Sequence, residues 1–271
     1  MIMVIEQGDD MQAAATFEAA RIKGLGKIQP QTVLHEVHWG RATCPTCRSR
    51  DLCISEGLDA ESTRELEAIV GEGIRLRKGD TLFRSGDRFT ALYAIRSGSC
   101  KTVFLSENGS DQVAGYHMVG EIIGTDGISD DTHSCQAVAL EDTEVCSLPF
   151  KRMEALSREN VTFQHNLHRL LSREISRERT MMQLLGTMHA ERRLAAFLLD
   201  LSHRYQARGY SSCEFVLRMT REEIGSYLGL KLETVSRLFS RFQREGLVQV
   251  QGRVVKLLDR ISLKRMLDSS D

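Results

Sequence analysis

The last proline of the chain is Pro149, one of only three, and everything from Phe150 to Asp271 is free of it. A proline inside a helix removes a backbone hydrogen bond and clashes with the preceding turn, so this half of the chain is free to form long helices. Apolar positions Leu167, Leu171, Ile175, Met182 and Leu185 recur at steps of three, four or seven. That spacing predicts a long amphipathic helix over 151–188. Its heptad-like persistence predicts a homodimer seam. Glu178 falls on the same stripe, three residues after Ile175 and four before Met182. Across a two-fold axis it meets its own copy, and facing like charges weaken association. Ile175, Glu178 and Met182 therefore predict a dimer that is marginal and easily switched.

Upstream of Pro149 the texture is different. Residues 1–43 lack a clear period and predict a weakly structured lead-in with a short helix near Gln12 to Arg21. From Asp59 to Val70 a helical pattern appears, with Leu58, Leu66, Ile69 and Val70 on one side. Short segments then follow at Thr81–Phe83, Ala91–Ile95, Lys101–Leu105, Gln112–His117 and Ala137–Ala139, separated by Gly79, Gly86, Gly98, Gly109 and Gly120. Short β-rich segments with glycine turns predict an antiparallel barrel or sandwich, at about 74–150.

Residues 190–208 predict another amphipathic helix, stopped by Gly209. Thr220 followed three residues later by Glu223 fits a capping box that opens the next helix. Ile224, Tyr227 and Leu228 give that helix an inner face, and Gly229 breaks it. The helix at about 232–245 buries Val235, Leu238, Phe239 and Phe242 and turns Glu233, Ser236, Arg237 and Arg241 outward. Two short helices around a glycine turn form a helix-turn-helix, and L-V-Q-V-Q-G-R-V-V-K-L after it predicts a hairpin wing turning at Gln251 and Gly252. Arg237 can donate two hydrogen bonds to guanine, Glu233 can accept from a cytosine amino group, and Ser236 can serve several bases. Arg221, Lys231, Arg241 and Arg244 are candidates for phosphate contacts.

Charge agrees with a double-stranded DNA partner. Residues 189–265 carry 15 Lys and Arg against 8 Asp and Glu, although the whole chain has a net charge of only −1. A basic C-terminal module on an acidic body points to one end meeting a polyanion. No apolar run approaches the roughly 20 residues that cross a bilayer, so no membrane is expected. The N-terminus shows no secretory pattern, which makes the reducing cytoplasm the expected compartment. Cysteines there are read as thiols or metal ligands rather than bridges.

Cys44, Cys47 and Cys53 form C-x2-C-x5-C, a loop able to bring three thiolates to one point. An iron-sulfur cluster or a zinc ion takes four such ligands, so a fourth must come from Cys100, Cys135, Cys146 or Cys213, with His35 and His38 near the loop as weaker candidates. Spacing alone leaves cluster, zinc and redox thiols open.

From Cys44 to about residue 265 the chain resembles the FNR (fumarate and nitrate reduction) regulators, within the CRP/FNR family typified by the catabolite activator protein. The resemblance rests on C-P-T-C-R-S-R-D-L-C, K-G-D-T-L-F-R-S-G-D, L-Y-A-I-R-S-G, E-R-R-L-A-A-F-L and G-L-K-L-E-T-V-S-R-L-F-S-R-F. It implies an α+β chain with a cyclic-nucleotide-binding-like β-roll, a long dimerisation helix and a C-terminal winged helix-turn-helix. The implied divisions are a cysteine-bearing segment at 1–58, a sensor roll at 59–150, the dimer helix at 151–188 and the DNA-binding domain at 189–271. It further implies Cys44, Cys47, Cys53 and Cys146 as ligands of a [4Fe-4S] cluster, and Glu233, Ser236 and Arg237 as base readers. A palindrome similar to TTGAT-N4-ATCAA would be the target, RNA polymerase a partner reached in part through the loop Ser106–Gln112, and scarce oxygen the signal. One departure concerns the cyclic-AMP branch, which holds its nucleotide phosphate with an Arg-Ser pair. Here T-H-S-C-Q-A places no arginine beside Ser134, so no cyclic nucleotide is expected. The alternative function is a regulator of the same family that senses a small molecule, or uses zinc or redox thiols. No nucleotide-binding glycine fingerprint or catalytic constellation supports an enzyme.

Overall fold

The computed structural model describes residues 43–71, 73–105 and 111–268. The short helix expected near Gln12, His35, His38 and most of the Ser106–Gln112 loop lie outside them. Residues 43–58 run through two 3-10 turns, Cys44–Thr46 and Arg50–Leu52. Helix α1 (Ala60–Ile69) follows, opened by Asp59, whose carboxylate accepts from the Ser62 amide at 2.7 Å and satisfies one of the free N–H groups of the first turn.

Among the described residues, eight strands build the roll: β1 (Gly73–Leu76), β2 (Thr81–Phe83), β3 (Ala91–Ser97), β4 (Ser99–Leu105), β5 (Asp111–Met118), β6 (Ile122–Ile123), β7 (Gln136–Ala139) and β8 (Thr143–Pro149). They pair antiparallel into two four-stranded sheets, ordered β1-β8-β3-β6 and β2-β7-β4-β5. Leu76, Phe83, Ile95, Cys100, Ile123, Cys135, Ala137 and Val145 form one buried cluster in this roll. Gly98 joins β3 to β4 with φ +82, and a Cβ there would run into Thr143, so only glycine makes this turn. The pattern of short segments finds β2, β3, β4, β5 and β7. It misses β1, the two-residue β6, and β8.

The stretch expected as one helix over 151–188 is two, α2 (Phe150–Glu159) and α3 (Val161–Thr187). Asn160 makes the break. Its backbone is extended, its side-chain oxygen caps α3 at the Phe163 amide (2.9 Å), and its amide donates to Ser62 Oγ of α1 (2.6 Å). Phe163, Asn166, Leu167 and Leu184 turn inward from α3, and Leu185 packs against a buried core. Leu167 and Leu185 thus leave the expected outer stripe. Ile175 remains 50% exposed and Met182 73% exposed, with exposed Glu178 between them.

The C-terminal module comprises α4 (Ala190–Ala207), β9 (Glu214–Val216), α5 (Arg221–Leu228), α6 (Leu232–Arg244), β10 (Val248–Gln251), β11 (Val254–Leu257) and α7 (Arg260–Asp268). The capping box is present: Thr220 Oγ1 accepts from the Glu223 amide and the Glu223 carboxylate from the Thr220 amide. Gly229 ends α5 at φ +63. The wing turns one residue later than expected, at Gly252 and Arg253. Strand β9 completes a three-stranded sheet, β10-β11-β9. This module packs on the roll: Lys101 Nζ donates to Glu223 Oε1 at 2.7 Å, the Val113 amide to Ser226 Oγ at 2.8 Å, and the rings of Tyr116 and Tyr227 meet edge-on at 4.9 Å.

Candidate metal centre and nucleic-acid interface

Strand alternation decides which side chains of β8 leave the roll. Val145 points into the interior cluster, whereas Cys146 and Leu148, one and three residues on, pack on the opposite face against the loop that carries Cys44 and Cys53. That loop is held from three sides. Ser49 Oγ donates to the Arg96 carbonyl of β3 at 3.2 Å. Asn166 of α3 donates to the carbonyls of Ile54 (3.0 Å) and Glu56 (2.7 Å), and Arg169 pairs with the Glu56 carboxylate at 3.0 Å. Leu52 lies against the turn at Gly120.

Cys44, Cys47, Cys53 and Cys146 consequently line one small cavity of about 30 Å³, with Ile54, Leu66, Val70, Ala94 and Leu148 as its apolar wall and Arg96 as a charged group at its edge. All four are free, half-buried thiols. Burial pushes the Cys44 thiol up to about 12, and the nearby sulfurs of Cys53, Cys146 and Cys47 and the Glu67 carboxylate add to this. Cys146 is pushed up to about 11 by burial first and then by Cys53 and Cys47. Thiolates gathered at one apolar cavity repel one another unless a cation sits among them. An all-sulfur donor set suits zinc or iron-sulfur centres rather than hard oxygen-seeking ions. Among the described residues, no three His, Cys, Asp or Glu side chains already stand at metal-ligand spacing. The residues fit such a centre in kind and in location, and the sulfurs must draw in to grip it. The other three cysteines lie elsewhere: Cys100 and Cys135 are buried in the roll, and Cys213 is exposed before β9.

On α6 the inner face is Val235, Leu238, Phe239 and Phe242, all buried, and Glu233, Ser236 and Arg237 are exposed together near the N-terminal end. Lys231 and Arg244 are exposed at its two ends. Two residues expected at phosphates are engaged within the protein instead. The Arg221 guanidinium lies 3.4 Å over the Phe239 ring, and burial lowers it to about 10. Arg241 pairs with Glu191 of α4 and with Glu245 at 2.7 Å.

Two features escape sequence reading. Asp126 accepts from the amides of Ser134 (2.8 Å) and Cys135 (3.2 Å). Burial works to raise its carboxyl, yet these bonds and His133 hold it down to about 2. Glu121 is gripped by Arg204 of α4 and by Arg208, the residue that follows that helix, each at 2.6 Å, and lies 3.3 Å from Arg177 of α3. Its arginine partners are 56 and more residues away in the chain, so no local pattern announces them.

Comparison with known proteins matches residues 74–160 to the cyclic nucleotide-binding domain and residues 192–266 to the Crp-like helix-turn-helix domain. The chain is 47% identical to the transcriptional regulatory protein btr of Bordetella pertussis, over 83% of this chain and 93% of that one. It is 40% identical to the fumarate and nitrate reduction regulatory protein of Escherichia coli, over 82% and 89% respectively. Among solved structures it is similar to FixK2 from Bradyrhizobium japonicum, with a TM-score of 0.68 and 26% identity over 75% of this chain and all of that one.

Proposed function

This chain belongs to the CRP/FNR family of transcription regulators, and we propose that it controls transcription in response to oxygen through a [4Fe-4S] cluster held by Cys44, Cys47, Cys53 and Cys146. The observation that carries the proposal is the cavity these four line and the remaining three cysteines do not. A bound cluster would supply a centre that oxygen destroys.

What the chain's own residues do follows from the packing. Drawn toward Cys146, the sulfurs of Cys44, Cys47 and Cys53 fix the loop on β3 and β8. Asn166 and Arg169, already bound to that loop, then fix its position along α3. The exposed stripe of Ile175, Glu178 and Met182 pairs with a second copy, and the apolar pair outweighs the Glu178 repulsion only while α3 is so supported. Pairing sets two copies of α6 one DNA turn apart on a palindrome, where Arg237, Glu233 and Ser236 read base edges and Lys231 and Arg244 hold phosphates. A shift from monomer to dimer needs a few kcal/mol, within what a multi-ligand metal site supplies. RNA polymerase is the further partner in this reading.

No cyclic nucleotide enters it. Asp126 takes the amides that a phosphate beside Ser134 would use, and Glu121 is bound by arginines. Visible absorption with iron and acid-labile sulfide analysis of protein purified without oxygen tests the proposal. Brown protein with iron and sulfide in equal amounts is expected. Colourless protein holding zinc, or no metal, would overturn it.

A further inference from the structure

Resting on that reading, we propose that Glu121 is a positioning residue that carries the placement of the cysteine loop to the dimer helix and to the DNA-binding module at once. Its neighbour Gly120 has φ +84, and a Cβ built there would stand 2.5 Å from Leu52 Cβ, beside Cys53. The loop and the Gly120–Glu121 turn are therefore in direct contact, and neither moves far without the other. Leu52, Cys53, Glu121, Arg177 and Arg208 all border one cavity of about 150 Å³, so the loop, the turn and the arginines meet at one place.

From that turn the Glu121 carboxylate reaches three arginines. Oε2 accepts from Arg204 at 2.6 Å and from the Met118 amide at 2.9 Å, and Oε1 accepts from Arg208 at 2.6 Å and Arg204 at 3.2 Å. Arg177 lies 3.3 Å away and also holds Glu174 at 2.9 Å. The arginines are not symmetric in what they anchor. Arg204 and Arg208 bind the roll again through the carbonyls of Tyr116 (2.6 Å) and Val119 (2.8 Å), so α4 is fastened to the turn by more than one bond. Arg177 precedes Glu178, so its orientation bears directly on the dimer stripe. Bidentate, charge-assisted contacts are short and directional, and a buried one transmits displacement where a solvated pair would slip. One carboxylate thus joins three bodies: the loop-bearing turn, α3 and α4.

The test uses full-length protein purified without oxygen, Glu121→Gln against the unaltered chain. Iron and sulfide content is measured together with operator affinity before and after air. Expected is unchanged iron and sulfide, with the ratio of affinity before to after air reduced by about tenfold, as for the loss of one charge-assisted contact. An unaltered ratio overturns the proposal, and so does loss of iron in parallel with the ratio, which would make Glu121 merely structural. If Glu121→Gln does not fold, Arg177→Gln, which removes only the α3 arm, decides by the same readings. Should the unaltered protein itself show no response to air, the functional reading fails first and takes this one with it.

Discussion

Cys146 stands opposite Ala94 in the β3–β8 ladder and opposite Gly73 in the β1–β8 ladder, and its side chain lines the cavity of Cys44, Cys47 and Cys53. Its direction is set by the pleat of a central strand rather than by a loop. Replacing Cys146 by Ser keeps the strand and removes the sulfur, so folded protein without bound iron is expected. The same change at Cys100 or Cys135, in the other cluster, should leave iron content intact. Iron analysis of the three variants checks this, and dependence on Cys135 instead of Cys146 would refute the ligand set.

Replacing Glu178 by Ala removes the like charge from the exposed stripe between Ile175 and Met182. Pairing in air should tighten by roughly fivefold, the effect of about 1 kcal/mol of repulsion at short range in water. Ile175→Glu should act oppositely and hold the protein monomeric without oxygen. Sedimentation velocity measures both.

On α6 the predictions separate by chemistry. Arg237→Ala should cost about 1–3 kcal/mol at the preferred operator and relax discrimination at the contacted base pair. Lys231→Ala should weaken binding nearly equally on all sequences and lower the salt-dependence slope by about 1. Binding titrations on matched and substituted operators at several salt concentrations distinguish them.

Much of this architecture is legible in the sequence because its signals are local. Thr220, Glu223 and Gly229 announce the helix-turn-helix with a cap and a stop that act within a few residues. Strand β8 is different, since Glu144 and Cys146 interrupt the apolar alternation on one face and Ser147 on the other. The fourth sulfur is accordingly placed by pairing with β1 and β3, which spacing does not reveal. Asn160 reads as an ordinary helical residue until Ser62 arrives from α1 to bind its amide. Arg204 and Arg208 look like solvated charges at the end of a helix and are buried where α4 docks on the roll, while Arg177 reaches the same carboxylate from α3.

Acid should probe the buried carboxylates. Burial works to raise both, yet Arg204, Arg177 and Arg208 pull Glu121 down to about 2, and His133 with the Cys135 and Ser134 amides does the same for Asp126. Groups depressed in the folded state stabilise it fully above their ordinary range, and that stability disappears as pH falls through the folded value. Asp126→Asn should therefore cost on the order of 2 kcal/mol at pH 7 and flatten the loss of stability between about pH 4 and 2. Urea denaturation at a series of pH values reports it.

The most direct test follows one anaerobically purified sample through exposure to air, reading its sedimentation mass and its affinity for a palindromic operator at each stage. The account predicts a dimer that binds tightly and then, as visible colour fades, monomers that bind weakly. Protein that pairs and binds equally well before and after air would contradict it.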